Sequence, residues 1–373
     1  MTLKEDRLFE EFRKELIRAL DKSSPENVAV FLDALNRFFY QEYIEDGQEY
    51  VSKFHKFWEL NHEAILGFKV DDAQCTKMAK VLENIFSKHP FKVDADVTGL
   101  KPELIANARY FTIVQDFKVR IKDPYKLART RPELFDAESI LADFPESTNK
   151  LLDYLGAKSQ TDKRQKFSRL CAELLVKEYN GSANNIARKH QNDATSIITS
   201  LVANPDEAFK GQLGFSAKKA IIFVRDMMDL GVWGISNPQS LDLPSDSNTM
   251  KVALRTGILR LRIPLLASYL DVYCSQYGST DEWSRRAWRT VWDKWGLIPG
   301  NHRVNSPASF DFLIYRAGQN WKKPAKMPEV GLFRELCPPE TANLNPPKSI
   351  SIYGATGWES GRTNEGGGGG IMS

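Results

Sequence analysis

The chain has 373 residues, 42 % of them hydrophobic, enough for one large domain or two ordinary ones with a sizeable core. Its 51 lysines and arginines nearly balance 48 aspartates and glutamates, so the net charge of +3 does not by itself announce a polyanionic partner. Cys75, Cys171, Cys274 and Cys337, separated by 96, 103 and 63 residues, fit neither a zinc knuckle nor an iron–sulfur ligand run, and neither a secretory leader nor a membrane-length apolar run is seen. Reduced thiols, a cytoplasmic setting and the absence of metal or cofactor are expected.

In chain order the dominant period is helical. Leu3, Leu8, Phe12, Leu16 and Leu20 form a stripe over 3–20, Ser23-Ser24-Pro25-Glu26 predicts a helix start for 26–40, and 51–68 and 73–88 continue in the same manner. Phe111 to Val119 alternates like a strand and reads equally as helix. Asp123-Pro124 and Arg131-Pro132 punctuate the middle, and Ser147 to Thr161 is polar enough for a linker or an inter-domain crossing. Helices are predicted at about 163–179, at about 182–201 after Asn180-Gly181, at about 217–230 after a tight hairpin at Gly214, and at about 247–256, closed by Gly257. From Pro324 onward prolines accumulate ahead of five glycines, Gly366 to Gly370, which predicts a flexible or extended tail, or glycine backbone laid against DNA or a partner. The fold class is mostly α.

Charge is unevenly placed along this series. Residues 1–50 carry 7 Lys and Arg against 12 Asp and Glu, whereas 163–190 carry 7 against 2 and 285–323 carry 8 against 2. Such asymmetry is the footprint of a face that meets a polyanion, and equally of solvated helix faces. Trp283, Trp288, Trp292 and Trp295 chiefly line one helical face as core, with Arg285, Arg286 and Arg289 beside them as possible phosphate contacts. His55 and His62 can share a helix face but lack a third metal ligand.

The stretch with most chemistry is Leu213-Gly214-Phe215-Ser216-Ala217-Lys218-Lys219-Ala220. Gly214 takes a positive φ without penalty, and amides opening the following helix present N–H groups and the positive dipole end to a phosphate. Gly214, Phe215, Ser216, Ala217 and Lys219 are therefore candidate DNA-binding residues, gripping the backbone without reading sequence. A lysine here, Lys218 or Lys219, is also a candidate nucleophile once its amine is partly neutral. Asp246, in Pro244-Ser245-Asp246-Ser247-Asn248, stands 28 residues after Lys218 at a helix start, where the dipole keeps a carboxylate ionised; Asp242 is placed outside that start.

The hairpin stretch resembles that of the helix-hairpin-helix DNA glycosylase superfamily, in which a Gly-x-Gly turn precedes the Schiff-base lysine by two residues. Pro244-Ser245-Asp246-Ser247 resembles the family's Pro-x-Asp element, and Phe310-Asp311-Phe312-Leu313-Ile314-Tyr315-Arg316-Ala317-Gly318 is similar to the closing helix of the archaeal 8-oxoguanine glycosylase branch. Ser216 replaces the second hairpin glycine, and the long interval to Asp246 and the missing iron–sulfur cysteines point away from the endonuclease III branch.

The resemblance implies a helix-hairpin-helix core over 160–323, built as two helical subdomains with a cleft; periodicity predicts an N-terminal helical region over 1–150 and composition a Pro/Gly-rich tail over 324–373, neither of which matches the family. The resemblance implies Lys218, rather than Lys219, as nucleophile and Asp246 as electrostatic partner and proton acceptor in a DNA N-glycosylase with AP lyase activity. The partner is then double-stranded DNA holding a modified base, flipped into a pocket. An oxidised purine implies base excision repair, and a hypermodified phage base such as glucosylated hydroxymethylcytosine implies antiviral defence. The alternative from another class is a non-catalytic helix-hairpin-helix DNA-binding protein.

Overall fold

The computed structural model describes residues 67–117 except 92 and 94, 123–261 and 277–339, together with positions 7, 10, 11, 14, 63 and 64. The helix expected over 26–40, most of those over 3–20 and 51–68, the pair His55 and His62, Cys274 and the glycine run lie outside the described residues.

In chain order the elements are β1 (Lys69–Val70), α1 (Asp72–Lys88), α2 (Pro102–Ile113), α3 (Pro124–Thr130), α4 (Ala137–Ala142), α5 (Glu146–Leu155), α6 (Thr161–Tyr179), α7 (Asn184–Lys189) and α8 (Ala194–Val202). There follow α9 (Ala217–Asp229), α10 (Ser247–Thr256), β2 (Leu259–Arg260), α11 (Tyr277–Gly296), α12 (Asp311–Asn320) and α13 (Glu329–Glu335). The fold is mostly α, as the periodicity predicts. Among the described residues no helix is long and apolar enough to cross a membrane.

The chain divides into two compact units, one of Met1–His89, Ser245–Arg303 and Phe312–Ser373, the other of Pro90–Pro244 and Val304–Asp311. In the first, Asp71 starts α1 by accepting the Gln74 N–H at 2.9 Å, and Cys75, Met78, Ala79, Leu82, Ile85 and Phe86 form its buried stripe. That stripe packs on α11, whose Trp288, Trp292 and Trp295 are buried, with Phe86 and Trp295 rings 5.0 Å apart. The tryptophan face is thus core. Arg285 and Arg286 pair with Asp281 and Glu282 one turn back, and Arg289 lies over the Trp292 ring. β1 and β2 pair antiparallel, Lys69 opposite Arg260 and Val70 opposite Leu259.

In this unit the segment after Pro324 departs from the expected tail. Pro324 opens a short 3-10 turn, Pro328 caps α13, and α13 buries Val330 and Phe333 while packing on α10. Proline's fixed φ suits a helix's first turn, so proline density alone does not exclude one.

The second unit, which carries the hairpin motif, holds α2 to α9 around Tyr110, Phe111, Phe135, Leu175, Ile197 and Phe223. The ambiguous stretch after Phe111 is helix as far as Ile113 and then turns at Val114 and Gln115. Ser147 to Thr161, expected as a linker, is largely α5: Leu151, Leu152 and Leu155 recur at helical spacing and are buried, and Gly156 closes the helix at φ 71°. The single helix expected over 182–201 is two, because Gln191 and Asn192 take φ of 53° and 58° and Asp193 then caps α8 by accepting the Ser196 N–H at 2.7 Å. Trp233 is buried beside α7, its indole N–H donating to Asn184 Oδ1 at 2.9 Å.

Candidate functional site

α8 ends at Val202 and α9 begins at Ala217, so the connection is longer than the tight hairpin expected, and the motif occupies its last part. Gly214 has φ +80°, and a Cβ built on it meets Phe167 Cδ2 of α6 at 2.7 Å. Glycine is required there twice over, by conformation and by space. Ser216, at the place of the second glycine, serves the helix instead. It is the N-cap of α9, extended at φ −97° and ψ 165°, and its hydroxyl accepts the Lys219 N–H at 3.3 Å.

The five candidate DNA-binding residues do not face the same way. Ser216 and Ala217 are exposed at the start of α9, where the helix dipole is positive. The Phe215 side chain is instead a core anchor, 7 % exposed, with Tyr110 and Phe223 ring centroids 5.3 and 6.0 Å away. Its ring does not face solvent, which leaves only its backbone for a phosphate.

Lys218 and Lys219 are adjacent in the first turn of α9, and both are half-buried. The Lys219 amine turns inward, donating to the Val114 carbonyl at 2.9 Å and the Gly214 carbonyl at 3.2 Å, with Nζ 5.0 Å from the Phe117 ring centroid. Burial pulls it down to about 8, Asp116 opposes, and Arg164 adds to the fall. The Lys219 amine is thus less basic than an ordinary lysine, and it is engaged with backbone carbonyls.

Asp246 lies in the other unit, at the N-cap of α10, with φ −147° and ψ −179°. Its Oδ1 accepts the N–H groups of Asn248 at 2.8 Å and Thr249 at 3.0 Å, and its own N–H donates to Thr249 Oγ1 at 2.7 Å. This is a reciprocal capping box. Asp246 as a whole is 9 % exposed, and Gly257 closes the helix at φ 73°. Asp242 precedes the cap and takes no part in it.

A second titratable cluster was not legible in the sequence. In the hairpin unit Arg109 Nε and Arg225 Nη2 each bind Asp226 at 2.6 Å, and Arg225 Nη1 also reaches Asp311 Oδ2 at 3.1 Å. Burial pushes Asp226 up and the two guanidiniums bring it below its ordinary value. Asp229, one turn further along α9, accepts the Ser309 hydroxyl at 2.9 Å, and burial pushes its carboxyl up to about 6. The partners come from three distant segments, and only the adjacency of Arg225 and Asp226 hints at them.

Among the described residues no group of His, Cys, Asp and Glu is placed to hold a metal ion. No protein-family model matches the chain, and no curated protein matches it.

Proposed function

We propose that the chain is a DNA N-glycosylase of helix-hairpin-helix type with an AP lyase step. The observation that carries the reading is the Gly214 turn: a glycine at φ +80° two residues before the serine cap of a helix whose exposed first residues and Lys218 form an electropositive, backbone-rich end. In the reaction a modified base leaves the stack, and the Lys218 amine attacks the sugar's anomeric carbon as the base–sugar bond breaks and the base departs with a proton. Ring opening then breaks the bond from that carbon to the ring oxygen, which takes the amine's second proton, and leaves an imine between Nζ and that carbon. The positive charge that develops on the sugar calls for a carboxylate that also takes up a proton, and Asp246 is the candidate for that role.

The second reading is a non-catalytic DNA-binding protein. It is favoured by the capping box of Asp246, since a carboxylate that already holds a helix start needs no catalytic role.

Borohydride trapping on duplex DNA, with oxidised purine and hypermodified phage base as separate arms, decides between them. A covalent adduct and base release lost in Lys218→Ala support the enzyme and name its substrate class. DNA binding without adduct or base release from either substrate selects the binder.

A further inference from the structure

A helix leaves its last carbonyls without intrahelical donors. At the end of α2 backbone N–H groups take those of Thr112 and Ile113, and two cations from other helices take the Val114 carbonyl and those of Gln115 and Phe117 in the turn beyond. The Arg164 guanidinium of α6, fully buried, donates to the Gln115 and Phe117 carbonyls at 2.6 Å each and to the Ser159 carbonyl at 2.7 Å, stacked 3.8 Å from the Phe117 ring centroid. The Lys219 amine takes the Val114 carbonyl and joins it to the Gly214 carbonyl. Phe117 also meets Phe167 edge-on at 6.1 Å, and Phe167 is the ring that leaves no room for a Cβ on Gly214. The turn is therefore held from two sides, by a ring against its Cα and by an amine on its carbonyl.

We infer that Lys219 is the positioning residue of the Gly214 turn: it fastens the turn to the end of α2, so the phosphate-gripping conformation exists before any ligand arrives. It does not reach a phosphate itself. Donation by the amine, rather than its charge, is the fastening, because a neutral amine keeps N–H groups for both carbonyls. The groups facing it are Asp116, Arg164, Cys171 and Lys163. An opened turn returns the amine to water and to its ordinary basicity, so protons favour the open turn, and opening becomes rarer as pH rises through about 8.

The test combines amide hydrogen exchange over residues 212–219 with duplex-DNA affinity across a salt series, in the full chain and in Lys219→Met, Lys219→Arg and Lys218→Met. Lys219→Met, which loses both amine hydrogen bonds, is expected to speed exchange of the turn amides about tenfold or more and to weaken DNA binding similarly with an unchanged salt slope. Lys219→Arg restores most of both, and Lys218→Met lowers the slope by about 0.9. Unchanged exchange in Lys219→Met, or a slope lowered by about 0.9 in that variant, overturns the inference.

Should Lys219→Met not fold, exchange of the wild-type turn between about pH 7 and about pH 9, corrected for the intrinsic rate, decides in its place. Slower opening at the higher pH supports the fastening, and flat or faster opening overturns it. The salt arm rests on the DNA reading and the exchange arm does not. Failure of the wild-type chain to bind DNA therefore removes that reading, while exchange still decides the role of Lys219.

Discussion

Asp246 is given two roles, capping α10 and assisting chemistry, and paired substitutions separate them. Asparagine keeps an oxygen acceptor for the Asn248 and Thr249 N–H groups and loses the charge, whereas alanine loses both. Asparagine and aspartate are similar N-caps, so Asp246→Asn is expected to stay within about 0.5 kcal/mol of wild-type stability. Asp246→Ala abandons two N–H groups at a 9 % exposed helix start and is expected to cost about 1–2 kcal/mol. The chemistry responds the other way, because removing a charge that stabilises a transition state costs about 100- to 1000-fold in rate. Urea unfolding and single-turnover base release, measured on both variants, give the four numbers. Wild-type excision by Asp246→Asn refutes the catalytic assignment. A loss of stability in Asp246→Asn equal to that of Asp246→Ala refutes the account of the cap.

Two further expectations concern the hairpin unit. The folded state holds the Asp229 carboxyl at about 6 against an ordinary 3.8, so it binds more protons than the unfolded chain between those values, and stability falls as pH rises through that window. The ionised group then costs at most about 3 kcal/mol, and thermal melts should find Asp229→Asn more stable than wild type at about pH 8 with the difference vanishing near pH 4; an equal or weaker variant at both is the contrary result. Gly214→Ala puts a Cβ 2.7 Å from Phe167 at φ +80° and is expected to cost about 1–3 kcal/mol, part of which Phe167→Leu recovers in the double variant, whereas additive losses in denaturant melts show that the two do not collide.

Much of this architecture is written locally. Gly257 after an amphipathic run and the tryptophan spacing on α11 are signals within one helix, and both led to the observed elements. The inward turn of Lys219 has a sequence signal too: it stands four residues before Phe223 and eight before Met227, both buried, so the helical period turns it toward the core. Lys218 is rotated about a hundred degrees away, a difference that sequence adjacency conceals. The polar look of 147–161 outweighed three leucines at helical spacing, and the count of prolines after Pro324 outweighed their suitability as helix starters. Arg109, the α9 residues Arg225 and Asp229, and Ser309 with Asp311 come from three segments that only tertiary packing brings together, which no local pattern encodes. Asp246 was expected at a helix start and is the N-cap of α10, and its capping box gives that carboxylate a structural reason to exist that the motif by itself does not disclose.

Trp233 is the only tryptophan within residues 90–244 and 304–311, whereas Trp283, Trp288, Trp292, Trp295 and Trp321 all belong to the other unit. The molecule therefore carries a built-in optical separation. A Trp233→Phe chain keeps no indole within the hairpin unit, and the wild-type minus variant spectrum isolates one buried indole hydrogen-bonded to Asn184. That indole packs on Phe223 of α9, with ring centroids 5.0 Å apart. Its emission reports on the same helix that begins at the Gly214 turn, so loosening or tightening of that helix has a colour of its own.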